Sequence, residues 1–265
     1  MTASPVSQVA TVASYEIRKY LRGRRLIGVL VLVGLIIGLI LGLPPALGIP
    51  YASEPNVFVS TFAAFSAILI VLSGVLFAAD ALVSEHEKRT GYFLFPNPVR
   101  REVLVVGKLA ASLITAAVVI SLYYGAATVA ALAITRATTW EIGLSYVYAL
   151  GYMTAVVGVA YLISAALKST VAATVFTFFL FTLIFGLIGG ILPLAKVEPW
   201  FIPTSAAGII GNVLAPPFTG GPGPGGGFGF SFVPNPATSL IVFAAYAVVG
   251  GILAVLLFRR RELSS

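Results

Sequence analysis

Side chains able to do chemistry are scarce in this chain, and they stand apart. It contains no cysteine and a single histidine, His86. That excludes disulfides, thiolate metal sites, cysteine nucleophiles and any multi-histidine metal centre. Serine and threonine are plentiful, but a hydroxyl nucleophile needs a neighbouring base. The charged residues gather instead in one stretch, DALVSEHEKRTGYFLFPNPVRREVLVVGK at 80–108, which holds Asp80, Glu85, Glu87, Lys88, Arg89, Arg100, Arg101, Glu102 and Lys108. Long uncharged runs flank it on both sides. A charged, Pro-broken segment between two apolar runs is solvated, and its basic excess places it on the cytoplasmic side. Here a partner in the cytosol can act on the chain.

The elements that must position this segment are membrane-spanning. Of 265 residues, 59% are hydrophobic and 9% charged, and mean hydropathy is +1.04. Soluble domains carry about 25% charged residues, so the fold class is an all-α integral membrane protein. The formal net charge of +7 then reflects cytoplasmic loops rather than nucleic-acid binding.

Residues 4–25 open the chain. Ser4 and Pro5 suit a helix cap and first position, and Val6, Val9, Ala13, Ile17 and Tyr20 share a face by their spacing, with Glu16 and Lys19 off it. The basic end Arg18, Lys19, Arg22, Arg24 and Arg25 suggests an amphipathic helix along the inner leaflet; a disordered basic tail is the alternative. Uncharged runs follow at 26–43, 57–79, 109–135, 142–167, 169–192 and 237–258, giving six transmembrane helices. The first is too long for a signal-peptide core and is expected to stop at Pro44-Pro45. On the second, Phe58, Phe62, Phe65, Leu69, Leu72 and Leu76 are expected on one face, for helix packing, lipid contact or substrate. Residues 193–236 form the long external loop. Its run 205–214 suits a short interfacial or re-entrant helix, and the Gly/Pro stretch GGPGPGGGFGF at 220–230 cannot build a core. Fourteen basic residues fall on the expected inner side and two, Arg136 and Lys196, outside. Both termini are therefore expected in the cytoplasm of a multi-pass protein of the cell membrane.

None of the 16 Lys and Arg or 9 Asp and Glu residues lies in the six runs. Proton-coupled carriers keep ionisable groups in the bundle, and intramembrane aspartyl or zinc proteases need buried Asp pairs or histidines. Catalysis within the membrane is thus not expected of this chain. Sodium coupling through hydroxyls and carbonyls needs no charge and stays open. No G-x-x-x-x-G-K-[ST] sequence occurs, so any ATP is bound elsewhere.

The segment EHEKRTGYFLFPNPVRREVLVVGK resembles the loop between helices two and three of type 2 ABC transporter permeases. That family shows an acidic residue in a short charged helix, a Gly-Thr turn, an apolar stretch, Pro-Val-Ser-Arg and a Gly-Lys entering helix three. Here Glu85 and Glu87 stand near the acidic position, Thr90-Gly91 replaces the turn, Pro98-Val99-Arg100-Arg101 replaces Pro-Val-Ser-Arg, and Gly107-Lys108 matches. FRRREL at 258–263 is similar to the family's ending, and the layout extends the resemblance over nearly the whole chain.

The resemblance implies an amphipathic connecting helix at 4–25, a cytoplasmic coupling helix between spans two and three, and an external re-entrant segment before span six. It implies pairing with a second copy or a related permease, and with two ATP-binding cassette ATPase subunits that carry the ATP and Mg. No cofactor is expected in this chain. Contact with the ATPase would fall to Glu85, Glu87, Lys88, Arg89, Phe93, Phe95, Pro98, Arg100 and Arg101; a solvated loop is the bland alternative. A substrate pathway between spans two and five would use Phe58, Phe62, Phe65, Thr174, Thr177 and Phe181, which without charges suits hydrophobic or amphipathic cargo. The leading expectation is the membrane subunit of an ATP-driven exporter. An ATPase-controlled scaffold without transport and a stand-alone channel or carrier are the alternatives.

Overall fold

The computed structural model describes residues 4–84, 101–214 and 233–261, and among these every regular element is helical. Helix α1 (Pro5–Arg22) begins as its sequence dictates: the Ser4 side chain accepts from the Ser7 N–H, and Pro5 occupies the first turn. Gly23 breaks the chain before α2 (Arg24–Ala46). Helices α3 (Pro55–Ala78), α4 (Arg101–Thr135) and α5 (Trp140–Ala166) follow. The next crossing is composite: α6 (Thr170–Phe179), a π-helical turn (Leu180–Ile184), α7 (Phe185–Ile191) and a short 3-10 turn (Leu192–Ala195). Two single turns, α8 (Pro203–Ala206) and α9 (Ile209–Asn212), precede α10 (Pro236–Arg261). Six stretches are long and apolar enough to cross a membrane, and the chain is a multi-pass helical membrane protein.

Helix α5 is the hub, and it packs most extensively on α10, then on α3 and α4. Glycine makes its crossing with α10 possible. A Cβ on Gly158 would lie 2.7 Å from the Ala247 Cα, and one on Gly250 would lie 2.6 Å from the Gly158 carbonyl carbon. Where lipid tails are as apolar as side chains, such close backbone approach is the main source of helix association. At Gly74 of α3 a Cβ would meet Val156 at 2.5 Å. The α6–α7 crossing is the least buried and α5 the most. The π-helical turn inserts a residue into the helical cycle. Phe181 and Phe185, within and just after it, lie against Tyr152 and Tyr246 with ring centroids 6.3 and 6.1 Å apart.

Helix α2 ends at Ala46, just past Pro44-Pro45. Proline at the last turn removes the N–H that would bond the Ile40 and Leu41 carbonyls; the Tyr51 hydroxyl donates to the Leu41 carbonyl instead. Two expectations need correction. First, α4 starts at Arg101, so Glu102 and Lys108 belong to its first two turns rather than to a charged loop. Second, Glu16 is not off the packed face of α1. It is buried with Ala13 and Tyr20, whereas Val6 is exposed. The reason is the neighbour: α1 lies against α4, and Lys108 stands opposite Glu16.

Residues 193–214 fold back onto the bundle. Ile202, Ala206, Ala207, Ile209, Ile210 and Leu214 are buried, and Ser145 of α5 donates to the Ile210 carbonyl at 2.7 Å. The run 205–214 is two single turns rather than one helix.

Candidate functional site

Charged residues on either side of 85–100, Asp80 and Lys108, meet partners from α1 and α2 at one end of the bundle. From α1, the Glu16 carboxylate receives Lys19 Nζ at 2.6 Å and Lys108 Nζ at 3.2 Å. Lys108 is almost wholly buried, its side chain 4% exposed against 56% for Lys19. A buried ammonium is costly unless paired and hydrogen-bonded, so Glu16 holds Lys108 in place, and Lys19 contributes at the rim. The residue beside Lys108 explains the approach: a Cβ at Gly107 would lie 2.7 Å from Val12 Cγ1. Gly107 admits α1, and Lys108 ties it down.

A second ion pair joins the root of α2 to the end of α3. Arg25 Nη1 donates to Asp80 Oδ2 and to the Leu76 carbonyl at 3.3 Å. Asp80 sits in the turn that ends α3, with its side chain 12% exposed. Ser164 of α5 steadies the same turn, its Oγ accepting from the N–H groups of Leu82 (3.0 Å) and Val83 (3.2 Å).

A set of hydroxyls joins α1, α3, α4 and α5 one helical turn from the Glu16–Lys108 pair. Tyr20 donates to the Phe77 carbonyl at 2.8 Å and lies 3.2 Å from Ser112 Oγ. Ser112 also reaches the Phe77 carbonyl at 2.7 Å and the Tyr161 hydroxyl at 3.2 Å. Burial pushes the Tyr20 phenol well above its ordinary range, which the Ser112 hydrogen bond only partly offsets. Residues from α1, α2, α3, α4 and α5 all enter this cluster. Among the described residues no group of three His, Cys, Asp or Glu side chains is placed to hold a metal ion.

Most of the residues expected to meet an ATPase lie outside the described residues: Glu85, Glu87, Lys88, Arg89, Phe93, Phe95, Pro98 and Arg100. Arg101 is the first residue of α4. The pathway candidates divide. Phe58 and Phe62 are buried, 3% and 1% exposed, and their rings run in series from Tyr51 to Tyr123. Phe65 is 43% exposed. Thr177 and Phe181 are buried, and Thr174 is partly exposed on the side of α6 that faces α3. The expected single stripe on α3 is thus split between the core and the surface.

Sequence reasoning missed Glu16, Tyr20, Arg25, Ser112, Tyr161 and Ser164 as members of one cluster. One signal was available for Glu16: it is an acidic residue three after Ala13 and four before Tyr20, and so on the side that those two define. Nothing local marks Ser164, whose partners Leu82 and Val83 lie far away along the chain.

Residues 10–263 match the family model described as ABC-2 family transporter protein. No curated protein matches the chain.

Proposed function

The chain belongs to the ABC-2 family of transporter proteins and is a membrane permease of that family, and from this premise we propose that it exports a hydrophobic or amphipathic substrate across the cell membrane. The energy comes from ATP, bound with Mg by separate cytoplasmic ATPase subunits that seat on residues 85–101. The permease works as a pair, with a second copy or a related chain. Both termini lie in the cytoplasm, and the segment before α10 serves as an external re-entrant gate.

One observation carries this reading. The two ends of the proposed coupling segment are not loose: Asp80 is tied to Arg25 and Lys108 to Glu16. A push delivered between them therefore moves α1, α2, α3 and α4 together, which is what rigid-body gating requires. A solvated surface loop has no need of such ties. A pathway between α3 and α6 would use the outward-facing members of the candidate set, Phe65 and Thr174.

The test is affinity purification of the tagged chain from native membranes, alongside a variant with Glu85, Glu87 and Arg89 changed to Ala. A P-loop ATPase that accompanies the parent chain and is lost from the variant is the expected outcome. A parent chain that brings no ATPase overturns the reading and favours passive flux. An ATPase without substrate flux in reconstituted vesicles favours an ATPase-controlled scaffold.

A further inference from the structure

An apolar groove of about 280 Å³ runs along the surface between α3 and α6, lined by Leu72, Val75, Leu76, Thr174, Val175, Phe178 and Phe179. It is smaller than the roughly 300–1,000 Å³ of a pocket that swallows a drug-sized ligand, and it is open along its side. Its size and shape suit a stretch of one alkyl chain. The position of its mouth suggests what that chain is attached to.

Leu76 lies four residues before Asp80, about 6 Å along the helix axis, so the groove begins one turn inside the charged end of the bundle. At that level stands Arg25, whose Nη1 bonds the Leu76 carbonyl itself. Arg25 is half exposed, its side chain at 51%. Both of its bonds use Nη1, so Nη2 and Nε remain to meet an anion; guanidinium is well suited to phosphate. Asp80 offsets one positive charge there. Arg24, next to Arg25 in the chain, and Lys168, two residues before α6, are exposed as well.

We infer that this groove binds an anionic phospholipid from the leaflet at the basic end, its upper acyl chain lying along Leu72, Leu76, Val175 and Phe179 and its phosphate at Arg25. The binding stands on the groove and its mouth alone. That the lipid is also cargo, or resembles the cargo, rests on the permease reading above.

The experiment uses the full chain in phosphatidylcholine nanodiscs. Two photoreactive probes with identical chains, a diazirine near the ester end, carry either a phosphatidylglycerol or a phosphatidylcholine head, and adducts are mapped by mass spectrometry. The phosphatidylglycerol probe should label 72–76 and 174–179 about fivefold more than the phosphatidylcholine probe, the preference expected of one basic residue near an anionic headgroup. V175W should abolish labelling by filling the groove. R25Q should reduce the headgroup preference to parity, while D80N, which removes the partner but keeps the cation, should retain it.

Equal labelling by the two probes overturns the inference, as does loss of preference in D80N. An unlabelled groove, with V175W converting a dimer to a monomer, would show that a second copy covers it. No ATPase takes part in this measurement. Labelling without an accompanying ATPase would sink the transport reading alone, and an ATPase without labelling would sink this inference alone.

Discussion

Lys108 shows how a single side chain can hold two helices. Its ammonium is buried beneath α1 and meets the Glu16 carboxylate at 3.2 Å, so removing Glu16 takes away a charge that this buried ammonium meets, and removing Lys108 leaves the largely buried Glu16 with Lys19 at the rim. Breaking such a pair costs about 3–5 kcal/mol, whereas replacing both partners with apolar residues of similar volume is close to neutral. Lys108→Ala and Glu16→Ala should each lower the thermal unfolding midpoint in detergent markedly, and the double variant Glu16→Leu with Lys108→Met should recover most of the loss. If the double variant were as unstable as the sum of the singles, the pair would not be the contact that matters. Arg25–Asp80 differs, because half of the arginine is exposed. Solvent screens the arginine's side of the pair, while Asp80 is only 12% exposed. Disrupting the pair should move the midpoint less than loss of the Lys108 pair does, which makes it the better of the two for separating function from folding.

At the level of the helix, glycine position decides what the chain tolerates. Gly158 and Gly250 stand where α5 and α10 touch backbone to backbone. Gly158→Leu should abolish folding, visible as aggregation by size-exclusion chromatography in detergent. At Gly34 and Gly38 on α2 an added Cβ would meet nothing within 4 Å, so Ala at either should leave folding intact, with a gain of up to about 1 kcal/mol from helix propensity. A folded Gly158→Leu variant would refute the crossing. The contrast also shows what the sequence could tell. Six crossings, Ser4 as a cap and the basic asymmetry were legible because hydropathy and capping are local properties. Which glycines face a neighbour was not, since α2 and α5 are both strongly apolar and only tertiary packing distinguishes them. The same limit applies to Phe58, Phe62 and Phe65. Spacings of three and four put them near one face, yet Tyr51 and Tyr123 cover the first two and leave the third outside. The end of α2 just past Pro44-Pro45 was legible, but not that Tyr51, beyond the helix, takes the carbonyl that proline leaves without a donor.

At the scale of the whole molecule, the charged end is where most of the helices are tied together. Five helices meet there through two ion pairs and a hydroxyl chain, while the opposite end is closed by 193–214 folded against α5 through Ser145 and Ile210. The sequence disclosed the charged segment but not its anchorage, because Glu16 and Arg25 lie far along the chain from Lys108 and Asp80, the partners they hold. If the anchorage transmits ATPase motion, its chemistry should matter more for coupling than for stability. Arg25→Asp places two carboxylates together and should detach the root of α2 from α3. Adding Asp80→Arg restores a pair of the same two charges in exchanged places. In proteoliposomes with the co-purified ATPase, the single variant should keep its partner bound and lose most substrate-stimulated ATP hydrolysis, and the double variant should regain it. Since the arginine is half exposed, the unfolding midpoint should shift less in either variant than in Lys108→Ala. Full stimulation in Arg25→Asp would mean that force reaches α3 without α2, and the two ion pairs would then be structural ties alone.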